Sequence, residues 1–529
     1  MMRQAVLRIV VLAAMVAGLV QGAEPGPAKL KLPAVLASHM VLQRDRPVPI
    51  WGTAAPGANV TVVFAGQTNS AKADDKGAWR VKLAPMAASD ESRTMTIAVS
   101  PGGTNSPAVT LEDLLVGEVW VGSGQSNMQT PVSMYLNGDP ALATNAAATY
   151  PRLRVMRNVD SRWEIASPAS VQGFSALLFS FAVPLQKSLN VPIGLMVGAA
   201  GGTPSGFWLS EAAFKSDAGC QAAVAKAMEG YTEEKAAQAQ LAYTNALAVW
   251  TQAVEVAKTV GKPAPRMPQP PVKPGSCRGV VGNLYERWIR PYQPFAIRGV
   301  IWDQGEAGTA IQGVDQYTLM GGLIHGWRQE WGQGEFPFIY VQKPSGGGCA
   351  WDSADPVTCK AEKFSPVPAA VPTNGSYRET HIRIMHYTNT AMVTASDLGP
   401  ATHPVCKSGY GARAARVALG MVYGQPVEIY GPTYLTQAVE GNKVRVRFAH
   451  VGQGLAAGQT NTLQGFAVAG ADKQFQWAQA VIEGDAVVVS SDKVAAPVAV
   501  RYAWAQTHPW ANLFNKDGLP ALPFRTDDW

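Results

Sequence analysis

The sequence predicts an α/β protein in which a mostly parallel sheet, flanked by helices, lies between two β-sandwich units. Three observations point to it. From Leu111 onward, short apolar runs alternate with amphipathic stretches, the pattern of strands joined by crossover helices. Before that, Leu32–Ser106 breaks into brief apolar segments separated by Gly, Pro and Asn, the mark of short antiparallel strands. After about Gly424 the same β pattern returns.

A chain of 529 residues exceeds what one hydrophobic core supports. With 47% hydrophobic and only 16% charged residues it is a well-buried globular protein, and 52 glycines and 38 prolines supply many turns. The net charge of +6 is spread without a basic stripe, so no nucleic-acid partner is expected.

Taken in order, residues 1–23 read as a secretory signal: Arg3 and Arg8, the apolar run Ile9–Val20, then small residues to Ala23. That run is too short for a comfortable membrane span, and no later apolar run is long enough to be transmembrane, so a periplasmic or secreted protein with no membrane contact after cleavage is expected. Residues 30–110 form the first β-sandwich, through VPIWGTAAPGANVTVVFAG, GAWRVKLAPM and RTMTIAVSPGG, and His39 there reads as structural.

Residues 111–424 form the sheet-and-helix unit. SALLFSFAVPLQKSL and TLMGGLIHGWRQEW read as helices; VPIGLMVGA, FAIRGVIW and FPFIYVQK read as strands. Within it, about 211–275 is an insertion: an Ala-, Gln-, Glu- and Lys-rich helical hairpin, then PAPRMPQPPVKPG as an extended return. It either rims the site or decorates the surface. Residues 425–529 form the second β unit, with VEIYGPTYLTQAVE, NKVRVRFAH, DAVVVSSD and APVAVRYAW as strands.

Five cysteines follow the signal. In an oxidising compartment Cys349 with Cys359, and Cys220 with Cys277, are candidate pairs, leaving Cys406 as a buried thiol. No C-x-x-C or His/Cys cluster suggests a metal, and no cofactor is expected.

The chemistry centres on Val119–Thr130, VWVGSGQSNMQT. An apolar run ends at Gly124 and delivers Ser126 to a turn, where a serine is either a nucleophile or a helix N-cap. Met128 stands where the second glycine of a G-x-S-x-G elbow belongs, which excludes that motif. Ser126, Gly201–Gly202 and Gln304–Glu306 each follow a separate predicted strand, so they converge on one sheet edge, where open α/β sheets bind ligands. Of seven histidines, His403 lies in a loop after the apolar strand TAMVTASD and before a helix.

Four blocks in order, GQSNM, GGTPSGFW at Gly201–Trp208, IWDQGEAG at Ile301–Gly308 and DLGPATHP at Asp397–Pro404, resemble the sialate O-acetylesterase family of SGNH-type hydrolases. The resemblance runs from about Leu32 to Trp529. It implies Ser126 as nucleophile and His403 as its base. Such enzymes commonly place an Asp within three residues before the base; Pro400, Ala401 and Thr402 stand there instead. The orienting partner is left between Asp397, Glu306 and a backbone carbonyl.

The backbone N–H groups of Ser126 and of Gly201 or Gly202, with the Gln304 amide, are the expected oxyanion donors. Asn127, Trp208 and Trp302 are candidate substrate contacts, although tryptophans beside strands also read as core. Asp303 replaces a residue that is often aromatic in the family, which puts the sugar-facing wall in question. The implied function is removal of O-acetyl groups from carbohydrate through an acetyl-serine, on sialic acid first and on xylan or xyloglucan as the alternative. A binding protein that has lost activity is the reading from another class.

Overall fold

The computed structural model describes residues 30–100, 108–400 and 402–529; the expected signal at 1–23 lies outside them. Six parallel strands make the central sheet: β1 (Val109–Gly124), β2 (Tyr150–Met156), β3 (Ile193–Ala199), β4 (Gly299–Asp303), β5 (Phe338–Val341) and β6 (Thr390–Val393). Their order is β6-β5-β4-β1-β3-β2, with Glu164–Ala166 antiparallel at the edge beside β2. The parallel α/β sheet read from the sequence is therefore present, and its strands are buried on both faces as such sheets require.

Strand β1 is the spine. Its first half pairs antiparallel with Ser89–Ser100 and parallel with Val41–Gln43. Its second half pairs with β3 and β4. One strand thus serves both the N-terminal sheet and the central one. Alternation along it divides the core: Val119 and Val121 face one hydrophobic cluster, shared with the N-terminal strands, while Trp120 faces another. That second cluster receives helices α2 (Ala176–Leu189) and α5 (Lys407–Met421), through Phe181, Leu185, Tyr410 and Ala414. Each Leu or Phe buried this way contributes about 1.5–3 kcal/mol. Ser175 caps α2 by accepting from Leu178 N–H.

The insertion forms helices at Glu211–Ser216, Ala218–Glu229 and Glu233–Thr259 (α3), followed by an extended return. A cavity of about 710 Å³ between α3 and Pro271–Pro274 is lined by insertion residues with Arg278 and Gln312. Ser126 and His403 are not among its lining. Helix α4 (Gln316–Trp331) then packs beside the sheet through Trp327 and Leu323. In the C-terminal region, a four-stranded antiparallel sheet (Thr433–Glu440, Lys443–Ala449, Ala486–Ser490, Gln479–Glu483) and a second built on Phe466–Ala469 and Ala499–Tyr502 enclose their own cluster.

All five cysteines carry free thiols, so neither candidate disulfide is formed; Cys406 is buried. Among the described residues no helix is long and apolar enough to cross a membrane.

Candidate active site

Register brings the site together. Ala199 of β3, Gly124 of β1 and Asp303 of β4 are direct partners, so three loops leave the sheet at one level. Gly124 makes the exit turn possible. Its φ is +125°, and a Cβ there would lie 2.1 Å from the Asp303 carbonyl oxygen. The Gln125 N–H donates to that same carbonyl at 2.8 Å. A single helical turn, α1 (Ser126–Gln129), begins at the serine with no side-chain cap from Gln125. The first N–H groups of a helix have no partner within it, so the Ser126 N–H opens beside its own hydroxyl.

The histidine arrives from the other side. His403 Nε2 lies 2.7 Å from Ser126 Oγ, across 277 residues of sequence. The imidazole is solvent-exposed, and among the described residues no side chain bonds its Nδ1. Gly201 runs alongside the serine: a Cβ built on it would sit 3.5 Å from Ser126 Cβ. Its N–H donates to Gln129 Oε1 at 2.6 Å. Gly202, at φ +70°, is exposed with open space around it.

Several expected residues are placed otherwise. Asp397 is fully buried and grips Arg413 through both oxygens, at 3.1 and 2.7 Å, and it makes no bond to His403. The six-residue separation from His403 lets it turn inward to α5, where the guanidinium fork satisfies it. Glu306 does not reach the histidine either; it accepts from Gln125 Nε2 and pairs with Lys343 Nζ at 2.8 Å.

The Gln304 amide is buried, and its N–H₂ donates to the Thr203 and Gly308 carbonyls at 3.3 and 3.2 Å. It binds two loops together and is not available as an oxyanion donor. Asn127 is likewise buried, donating to the Thr402 carbonyl at 2.8 Å and accepting from Lys407 Nζ at 2.6 Å. It is not a substrate contact.

Trp208 and Trp302 are 0% and 1% exposed and pack edge-to-face at 6.1 Å, so both are core and neither can stack on a sugar. Asp303 forms no sugar-facing wall: it is fully buried against Lys343 Nζ at 2.6 Å.

Two buried lysines were missed from sequence, although both follow the ends of site-forming segments. Lys343 comes just after β5, and Lys407 opens α5 four residues past His403. Burial opposes the Lys343 charge, but Asp303 and Glu306 outweigh it and hold its pKa above the ordinary lysine value. Burial, reinforced by Glu306, pushes the Asp303 carboxyl up against the pull of Lys343. The Lys343–Glu306–Gln125 chain therefore anchors the residue before the serine. Among the described residues no group of three His, Cys, Asp or Glu side chains could hold a metal ion.

No family model matches the chain. It is 29% identical over 343 residues to the sialate O-acetylesterase of Mus musculus and 26% identical over 341 residues to that of Homo sapiens, covering 58% of this chain in each case. The matches span only 59% and 56% of those relatives' length. Among solved structures, XAC1771, a carbohydrate acetylesterase from Xanthomonas citri, matches with a TM-score of 0.72 and 30% identity, over 94% of this chain and all of that one.

A parallel α/β sheet with a serine and a histidine in contact at its C-terminal edge, on these likenesses, defines the class of carboxylic ester hydrolases. Within that class, the chain belongs with the carbohydrate acetylesterases, to one of which it is 30% identical over nearly its whole length, and it is similar to the sialate O-acetylesterases over 58% of its length.

Proposed function

We propose that this chain is an exported serine esterase that removes O-acetyl groups from carbohydrate. The observation that carries the reading is the 2.7 Å contact between Ser126 Oγ and His403 Nε2. In the reaction, His403 Nε2 takes the hydroxyl proton as Ser126 Oγ attacks the acetyl carbonyl. The oxyanion is met by the Ser126 N–H and the Gly202 N–H, and each such donor is worth about 3 kcal/mol of barrier. His403 returns its proton to the departing sugar hydroxyl, leaving acetyl-Ser126. It then takes a proton from water as the water oxygen attacks the acetyl carbonyl, and passes that proton to Ser126 Oγ as the bond from Oγ to the acetyl carbon breaks; acetic acid leaves and ionises to acetate in solvent. With Asp397 turned to Arg413 and Glu306 to Lys343, the pair works as a dyad.

The names of the relatives favour O-acetylated sialic acid as substrate. Export rests on Arg3, Arg8 and the run Ile9–Val20, and N-terminal sequencing of the mature protein should begin near residue 23. The division into units 30–110, 111–424 and 425–529 accompanies this reading, the central unit carrying both reacting residues.

The test is acetate release from p-nitrophenyl acetate, 9-O-acetylated sialic acid and acetylated xylan, by wild type, Ser126→Ala and His403→Ala. Release by wild type that both variants lose supports the reading, and the faster glycan names the substrate. Release that survives Ser126→Ala refutes the serine mechanism. No release by folded wild type favours a carbohydrate-binding protein.

A further inference from the structure

Lys407 is fully buried, yet among the described residues no carboxylate lies within ion-pair distance of it. Its ammonium makes one hydrogen bond, to Asn127 Oδ1 at 2.6 Å, and lies 4.8 and 4.7 Å from the rings of Tyr135 and Tyr410. Burying such a charge is costly, and an apolar side chain of this length would fill the space without that cost. The charge therefore has a use that packing does not supply.

That use is visible in what the ammonium does to its partner. A lysine ammonium has donors and no acceptor, so only the amide oxygen of Asn127 can face it. The Asn127 Nδ2 is then directed the other way, to the Thr402 carbonyl at 2.8 Å. Were the amide reversed, its oxygen would oppose that carbonyl oxygen. Thr402 is bonded through its peptide to His403, whose exposed ring has little else to hold it. Asn127 is in turn bonded to Ser126.

We propose that Lys407 is a positioning residue that sets the distance between Ser126 and His403 by orienting the Asn127 amide onto the Thr402 carbonyl. The inference rests on the reading of Ser126 and His403 as the reacting pair. Lys343 anchors the residue before the serine through Glu306 and Gln125; Lys407 anchors the residue after it and ties that residue to the base.

Burial, aided by Lys343 and resisted by Asp303 and Glu306, draws Lys407 down to about 7. The remaining groups around it are Cys406, Tyr135 and Tyr410. A neutral amine carries a lone pair and no longer dictates which end of the amide faces it.

The test compares Lys407→Met and Asn127→Asp with wild type. Asn127→Asp keeps an acceptor for Lys407, now as a charged partner, and sets an acceptor oxygen against the Thr402 carbonyl in place of the donor, so it serves where Lys407→Met fails to fold. Both should lower kcat on p-nitrophenyl acetate by about tenfold to a hundredfold, the scale of a displacement of about 1 Å between reacting groups, with KM within about twofold. Crystal structures of the variants should show the serine and imidazole out of hydrogen-bond range. Wild-type kcat in Asn127→Asp, or an unchanged Ser126–His403 contact in either variant, overturns the proposal. Should wild type hydrolyse no ester, the functional reading fails, and the crystal structures still decide whether Lys407 positions the histidine.

Discussion

Gly124→Ala puts the exit turn of β1 to the test. At φ +125° an alanine occupies a region that L-residues rarely adopt, a strain of about 1–2 kcal/mol. Its Cβ would also lie 2.1 Å from the Asp303 carbonyl oxygen, 2.6 Å from the carbonyl carbon and 3.0 Å from the nitrogen. These are backbone atoms of β4, held in register with β1 on one side and β5 on the other, so they cannot move aside as a flexible side chain would. Forced overpacking costs about 1–3 kcal/mol more.

The sum is about 2–5 kcal/mol, to be read by urea denaturation. Relief comes from pushing β1 and β4 apart, which breaks the bond from Gln125 N–H to Asp303 O and shifts Ser126 two residues on. A shift of about 1 Å lowers kcat by about a hundredfold. An alanine variant within about 0.5 kcal/mol of wild type, with full kcat on p-nitrophenyl acetate, would refute the claim that glycine is required there.

Two further outcomes follow from buried charges. Asp397→Asn leaves the Arg413 guanidinium without its carboxylate and should cost about 3 kcal/mol of stability by denaturant titration. Its kcat should stay within about threefold of wild type, since Asp397 does not touch His403; a fall of about 10⁴, the scale for losing a triad aspartate, would restore Asp397 to the catalytic set. His381 is buried, and burial, with Lys343 and Arg378 nearby, lowers its pKa to about 3. The unfolded chain binds this proton below about pH 6.5 while the folded chain refuses it, so stability falls by up to about 1.4 kcal/mol per pH unit between about 6.5 and 3. His381→Phe should flatten that part of the stability–pH curve, and an unchanged slope would show that His381 is protonated in the fold.

Local chemistry made much of this protein legible in its sequence. Periodicity marked α2, α4 and the strands of the sheet because a parallel strand is apolar on both faces and a packed helix on one. Ser126 and His403 could be named because a turn after a strand and a loop before a helix each present one polar group at a sheet edge, and four ordered blocks tied them to a family.

Tertiary structure decided where each side chain points, which spacing along a chain does not contain. Trp208 and Trp302 resemble sugar platforms in composition, but the sheet buries both. Asp397 stands near the histidine in sequence, but Arg413, sixteen residues on, takes its charge. Asn127 neighbours the serine, but Lys407, 280 residues away, claims its oxygen. Buried charges find whatever partner the fold brings within about 3 Å, and such partners are set by packing across the sheet.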